Sequence, residues 1–135
     1  MFEQHITPRF SETDALGHIN NTVVPVWFEQ ARRPVFELFT PDLDHKKWCL
    51  IIARIAIDFM GELHYGTNVV VRTSIDTIGN SSFQVAQEIW QQDKVRVKGL
   101  ATLVHYDYQA QKSKPIPDQI REQLAQHMTD GSSAE

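Results

Sequence analysis

An α+β fold, in which one long helix is wrapped by a five-stranded antiparallel β-sheet, is what this sequence predicts on three observations. Apolar residues recur at helical spacing over Trp27, Phe28, Ala31, Val35, Phe36 and Phe39. Beyond Pro41 they alternate instead, in stretches bounded by Gly61, Gly66, Gly79-Asn80 and Gln92-Asp93. The gaps between the last three stretches suit hairpins and leave no room for crossover helices, so those strands must run largely antiparallel.

Residues 2–10 alternate loosely, with Ile6 and Phe10 on one side, and predict a first strand ending near Ser11. Pro8 marks it as an edge strand or a bend. A polar loop over 11–21 follows, and either Asn20 or Asn21 can cap the helix after it. Pro25 fits the first turn of that helix, whereas Pro34 removes a hydrogen bond and should kink or end it, giving one bent helix or two.

Over 50–60, Ile55, Ile57 and Phe59 share one face of a strand and Arg54, Ala56 and Asp58 the other. Residues 68–78 alternate through Val69, Val71 and Ile75, and 82–91 through Phe83, Val85 and Ile89. The longest strand spans 95–108 and is interrupted by Gly99. Pro115 and Pro117 introduce a short terminal helix with Ile120, Leu124 and Met128 in one stripe. A single domain over 1–130, followed by a polar tail at 131–135, accounts for the whole sequence.

Composition narrows the function. A formal net charge of −4 offers no excess of Lys and Arg for phosphate backbones, which argues against a nucleic-acid partner. The single cysteine, Cys49, can form no internal disulfide and sits beside Trp48 and Leu50 as a small buried hydrophobe would. With no signal-peptide pattern at the start and no apolar run of membrane-spanning length, a cytoplasmic protein without a membrane partner is expected. The six histidines lack zinc-ligand spacing, and neither a phosphate-cradling loop nor a dinucleotide fingerprint occurs, so no metal and no cofactor are expected.

Chemistry concentrates in one place. The run Asp14-Ala15-Leu16-Gly17-His18-Ile19-Asn20-Asn21 brings a carboxylate, an imidazole, two amides and a glycine to the start of an apolar helix. A helix N-terminus offers unpaired N–H groups and partial positive charge, which suit the oxyanion formed when a carbonyl is attacked. Asp14 supplies an attacker or a base, and Gly17 lets the backbone turn so that Asp14 and the amides near Asn20 and Asn21 converge. The same residues are also what a plain turn and N-cap contain.

That run, followed by Trp27-Phe28-Glu29-Gln30-Ala31-Arg32, is similar to the signature of the 4-hydroxybenzoyl-CoA thioesterase-like hotdog family, in its variant with a GHxNN motif. Ile57-Asp58-Phe59, Tyr65-Gly66, Ile78-Gly79-Asn80-Ser81-Ser82 and Lys114-Pro115-Ile116-Pro117 follow in family order, so the resemblance covers most of the chain. It implies a hotdog fold, a homodimer joined edge to edge or a homotetramer, and an active site at the dimer interface. It implies also that Asp14 is the catalytic carboxylate and that the oxyanion-binding amide lies at or beside Asn21. His18 is implied either to orient substrate or to play a structural part.

The substrate so implied is a small-molecule thioester of coenzyme A or of an acyl carrier protein, with coenzyme A part of the substrate rather than a cofactor. Gly17, Val24, Trp27, Phe59 and Ser82 are candidate substrate-binding residues, and Arg96 and Lys98, two apart on one strand face, could hold carrier phosphates. Two departures bear on the pocket: Val24 stands where many relatives carry tyrosine, and Asn21 stands where one branch places histidine. A hydratase or dehydratase, or a noncatalytic acyl-thioester-binding module, are the competing readings of such a fold.

Overall fold

Alternating side chains make the sheet and the 3.6-residue period makes the helices, in a computed structural model that describes residues 1–129. The tail expected at 131–135 lies outside the described residues. Strands β1 (Phe2–Ile6), β2 (Leu50–Phe59), β3 (Val69–Ile78), β4 (Ser82–Gln91) and β5 (Lys94–Asp107) pair antiparallel in the order β1-β3-β4-β5-β2. The sheet curls around helices α1 (Val23–Ala31) and α2 (Arg33–Phe39), and a third helix, α3 (Asp118–Ala125), follows the last strand.

Local differences from the expected elements have local causes. β1 ends at Ile6, and Phe10 falls instead in a single 3-10 turn, because Pro8 has no N–H with which to continue a ladder. α1 begins at Val23, two residues after Asn21. Met128 lies beyond α3 and meets β3 instead: Ile75 N–H donates to the His127 carbonyl at 2.9 Å, and Thr129 N–H to the Ile75 carbonyl at 3.2 Å. The sheet also has a sixth strand, β6 (Lys112–Ser113), too short to leave an alternating trace in the sequence.

Of the two expected outcomes, one bent helix or two helices, the chain takes the second, with Arg32 between the segments. Pro34 supplies no N–H to the Gln30 carbonyl, and side chains of the sheet satisfy the carbonyls around the break. Gln87 Nε2 donates to the Phe28 carbonyl at 2.9 Å and to Thr73 Oγ1 at 3.1 Å, and Thr73 Oγ1 donates to the Ala31 carbonyl at 3.4 Å. Arg32, only 2% exposed, donates from a terminal guanidinium nitrogen to Gln87 Oε1 at 3.1 Å, while its Nε is buried without a partner among the described residues. Burial pushes its pKa below the ordinary guanidinium value, an effect that the Glu29 carboxylate opposes.

The core has two parts, matching the two helical segments. Val24, Trp27, Phe28 and Ala31 pack on Val69, Val71, Ile89 and Val97, whereas Val35 and Phe36 pack on Ile75, Val85, Leu103 and Leu124. Gly99 explains how closely α1 approaches β5, since a Cβ there would stand 2.6 Å from the Phe28 ring. The apolar face expected on β2 does exist, but β2 is an edge strand: Ile55 is 45% and Phe59 51% exposed. No helix among the described residues is long and apolar enough to cross a membrane.

Candidate functional site

The Asp14 loop is closed by its own backbone. Asp14 N–H donates to the His18 carbonyl at 2.8 Å, and one carboxylate oxygen, Oδ1, accepts from Leu16 N–H at 2.7 Å and from His18 N–H at 3.2 Å. Gly17 turns the chain with φ +80°, a left-handed value that costs other residues roughly 1–2 kcal/mol. Asn20 Oδ1 accepts from Thr22 N–H at 3.1 Å, so its side chain closes the turn that leads into α1. Among the described residues the Asn21 N–H has no protein acceptor, and it stands at the entry to α1 as a free donor.

A second segment completes the site. Ile19 N–H donates to the Leu63 carbonyl at 2.7 Å, and Tyr65 N–H to the Gly17 carbonyl at 3.2 Å, so residues 61–65 lie against the Asp14 loop. Buried Gln91 holds this segment from β4: Oε1 accepts from His64 N–H, and Nε2 donates to the His64 and Thr67 carbonyls, all at 2.9 Å. The result is a cleft of about 310 Å³. Asp14, His18, Asn21 and Glu62 form its polar part, and Val24, Phe59, Met60, Leu63 and Val97 its apolar wall. Glu62 Oε2 stands 3.2 Å from His18 Nε2, and the His18 ring meets that of His64 edge to face at 5.0 Å.

Glu12 ties the loop to the helix. Its carboxylate accepts from Arg9 N–H at 2.7 Å and from Trp27 Nε1–H at 3.0 Å, and its carbonyl from Asn20 N–H at 2.9 Å. Burial alone would raise the Glu12 pKa, but these donors and the Arg9 guanidinium prevail and hold it below the ordinary 4.5. A depressed carboxylate stabilises the fold above its unfolded pKa and loses that contribution as pH falls through the folded value. The stability gap between wild type and Glu12→Gln, followed by urea unfolding, should therefore hold steady above pH about 4.5 and close below it. A gap that widened in acid would contradict this account.

The structure gathers some of the expected residues and scatters others. Asp14, His18, Asn21, Val24 and Phe59 line one cleft; Gly17 and Asn20 shape its loop, and Trp27 anchors that loop from below. Arg96 braces the rim from behind: its carbonyl accepts from Met60 and Gly61 N–H, and its guanidinium reaches the Gln91 and Glu62 carbonyls. Lys98 lies elsewhere, in a groove on the outer face of the sheet with Arg72 and Glu88. Ser82 is at the far end of β4, paired with Val104, whereas the cleft ends on Val97. Met60, Glu62, Leu63 and His64 carry no motif of their own and join the site through long-range pairing, with the Asp14 loop, with Arg96 and with Gln91. Among the described residues no group of three or more His, Cys, Asp or Glu side chains is placed to hold a metal ion.

A curled antiparallel sheet wrapped around a helix, with a cleft at the helix start, defines a protein of the hotdog class. The chain belongs to the thioesterase-like superfamily, whose family model it matches over residues 8–124. Its fold is similar to that of a predicted thioesterase from Bacillus stearothermophilus, at 46% identity, TM-score 0.92 and coverage of 96% of this chain and 97% of that one. It is also similar to a thioesterase from Thermus thermophilus in complex with coenzyme A and Zn, at 28% identity and TM-score 0.80 over 90% of this chain and 95% of that one. A gentisyl-coenzyme A thioesterase, BH1999, is 27% identical with TM-score 0.77, over 92% of this chain and 99% of that one. The uncharacterized protein YsmA of Bacillus subtilis (strain 168) is 26% identical over 60% of this chain, a match that spans 55% of that protein's length.

Proposed function

We propose that the protein hydrolyses a small-molecule thioester, an acyl-coenzyme A or acyl-carrier-protein ester, to free acid and thiol. The observation that carries this reading is that Asp14 and Asn21 line one cleft, and that the Asn21 N–H, at the entry to a helix, has no acceptor among the described residues. Asp14 Oδ1 is occupied by two loop N–H donors, which leaves Oδ2 to attack the carbonyl or to draw a proton from water. The Asn21 N–H and the start of α1 face the developing oxyanion. Thiolate is a good leaving group, so a strong general acid is not required. Membership of the thioesterase-like superfamily and the coenzyme A bound to the Thermus relative support the substrate class.

The free edge of β2 supports a homodimer. Met60 N–H bonds the Arg96 carbonyl in continuation of the β2–β5 register, so the backbone groups of Ile55, Ile57 and Phe59 turn outward. Two-fold pairing centred on Ala56 sets Arg54 of one copy opposite Asp58 of the other, while shifting it by one pair sets Asp58 against Ile52 or Ala56. It also extends a row of alternating charge already present across the sheet, Glu3, Arg72, Glu88, Lys98 and Asp58. Arg54→Asp should weaken dimerisation about tenfold and adding Asp58→Arg should restore it, as read by sedimentation. Equal weakening by both single variants without mutual rescue would rule out this register.

Thiol release measured across a panel of aliphatic and aromatic acyl-coenzyme A esters tests the main reading. Release from at least one ester is expected, and none from any ester would instead favour a noncatalytic binding module. The hydratase reading needs a histidine–carboxylate pair near the acyl chain, and His18 and Glu62 form such a pair at the rim. Loss of the conjugated absorbance of an enoyl ester, without thiol release, would favour it.

A further inference from the structure

We infer that Glu62 is a positioning residue that orients His18, and that the two together activate water in the second half of the reaction. This rests on the thioesterase reading above. His18 is held on three sides: its backbone pairs with Asp14 and with His64, its ring meets the His64 ring edge to face, and Nε2 lies 3.2 Å from the Glu62 carboxylate, at ion-pair distance. A carboxylate at Nε2 favours the proton on that nitrogen, which leaves Nδ1 as the acceptor. Nδ1 has no protein partner among the described residues, and the side chain lines the same cleft as Asp14. Glu62, with its side chain 65% exposed, contributes little to the core, so its place beside His18 is not explained by packing.

The division of labour follows from which groups are free. Asp14 Oδ2 bonds to the acyl carbon, and the C–S bond breaks with its electron pair leaving on sulfur, giving a mixed anhydride and a thiolate that departs and takes its proton from solvent. Water then adds to the acyl carbon of the anhydride as one of its protons passes to His18 Nδ1. The bond to Asp14 breaks, its electron pair returns to the carboxylate, and the imidazolium gives its proton to solvent. The acid leaves, and both side chains return to their starting states.

Stopped-flow thiol detection on the full chain, with an ester that the panel shows to be turned over, separates the steps. His18→Gln should keep a first-turnover burst of thiol while steady-state release falls about 100-fold. Glu62→Ala should keep the burst and lose about tenfold in kcat with KM within about twofold, and Glu62→Gln, which retains an acceptor oxygen, should recover most of that loss. Adding Glu62→Ala to His18→Gln should cost nothing more, because Glu62 acts only through the imidazole. Loss of the burst in either single variant, or effects that multiply in the double variant, would overturn the assignment while leaving thioester hydrolysis by Asp14 standing. A wild type that released no thiol, or an Asp14→Ala variant as active as wild type, would overturn the underlying reading and this assignment with it.

Discussion

Asp14→Asn is expected to lower thiol release by about 10³-fold while leaving the fold unchanged. The amide oxygen can still accept from Leu16 N–H and His18 N–H, so the loop keeps its closure. An amide, however, neither attacks a thioester carbonyl nor takes a proton from water at neutral pH. Thermal unfolding should therefore superimpose on that of wild type while the free-thiol assay collapses. Asn21→Ala should behave in the opposite way and keep most of the activity, since the donor assigned to the oxyanion is the backbone N–H and not the side chain. If Asp14→Asn retained a tenth of wild-type turnover, the carboxylate would not be the reacting group.

Gln87→Leu should destabilise the protein by about 3 kcal/mol, the cost of taking the acceptor from a buried charged donor and one bond each from Thr73 Oγ1 and the Phe28 carbonyl, which keep their bonds to the Ala31 carbonyl and the Arg32 N–H. Gln87 is the hub at the helix break: it accepts from Arg32 and donates to Thr73 and to the Phe28 carbonyl. Among the described residues Arg32 has no carboxylate within ion-pair distance, so an apolar residue at position 87 removes the acceptor on which its guanidinium depends. Arg32→Met in the same chain should return much of the loss, since an apolar pair of similar volume carries no desolvation penalty. The urea midpoint is the measurement, with an unchanged slope showing that stability alone has moved. A loss under about 1 kcal/mol would mean that solvent or backbone adjustment satisfies Arg32 without Gln87.

Much of this architecture is visible in residue order because its causes are local. Two-residue alternation marks β2 to β5, the 3.6-residue period marks the apolar helix, and Pro34 breaks that helix for a reason that involves its neighbours only. The Asp14 loop is similarly local: five residues close it, and glycine at position 17 supplies the one backbone angle that other residues resist. Gly99 is different. In the sequence it reads as an interruption of a strand, and only the Phe28 ring resting against it explains why a side chain is excluded.

The far wall of the cleft was not legible in this way. Leu63 reaches the site through a bond to Ile19, and Glu62 through its contact with His18, partners more than forty residues away in the chain. Arg96 and Lys98 are two apart on β5, yet Arg96 supports the rim and Lys98 lies on the outer surface. A register shift in the β4–β5 ladder leaves Arg96 without a partner on β4 between Val95 and Val97, and such a bulge re-aims the side chain, so the spacing does not fix a shared site.

By itself, then, the sequence determined the elements, the break in the helix and the polar loop at its start, because neighbouring residues set backbone angles and local periodicity. Only the tertiary structure decided which strand stands at the edge, which side chains face Asp14 and where Arg32 finds its acceptor. Those outcomes depend on pairing between distant segments, and the sum of packing and hydrogen bonding over the whole sheet selects that pairing rather than any single stretch of chain.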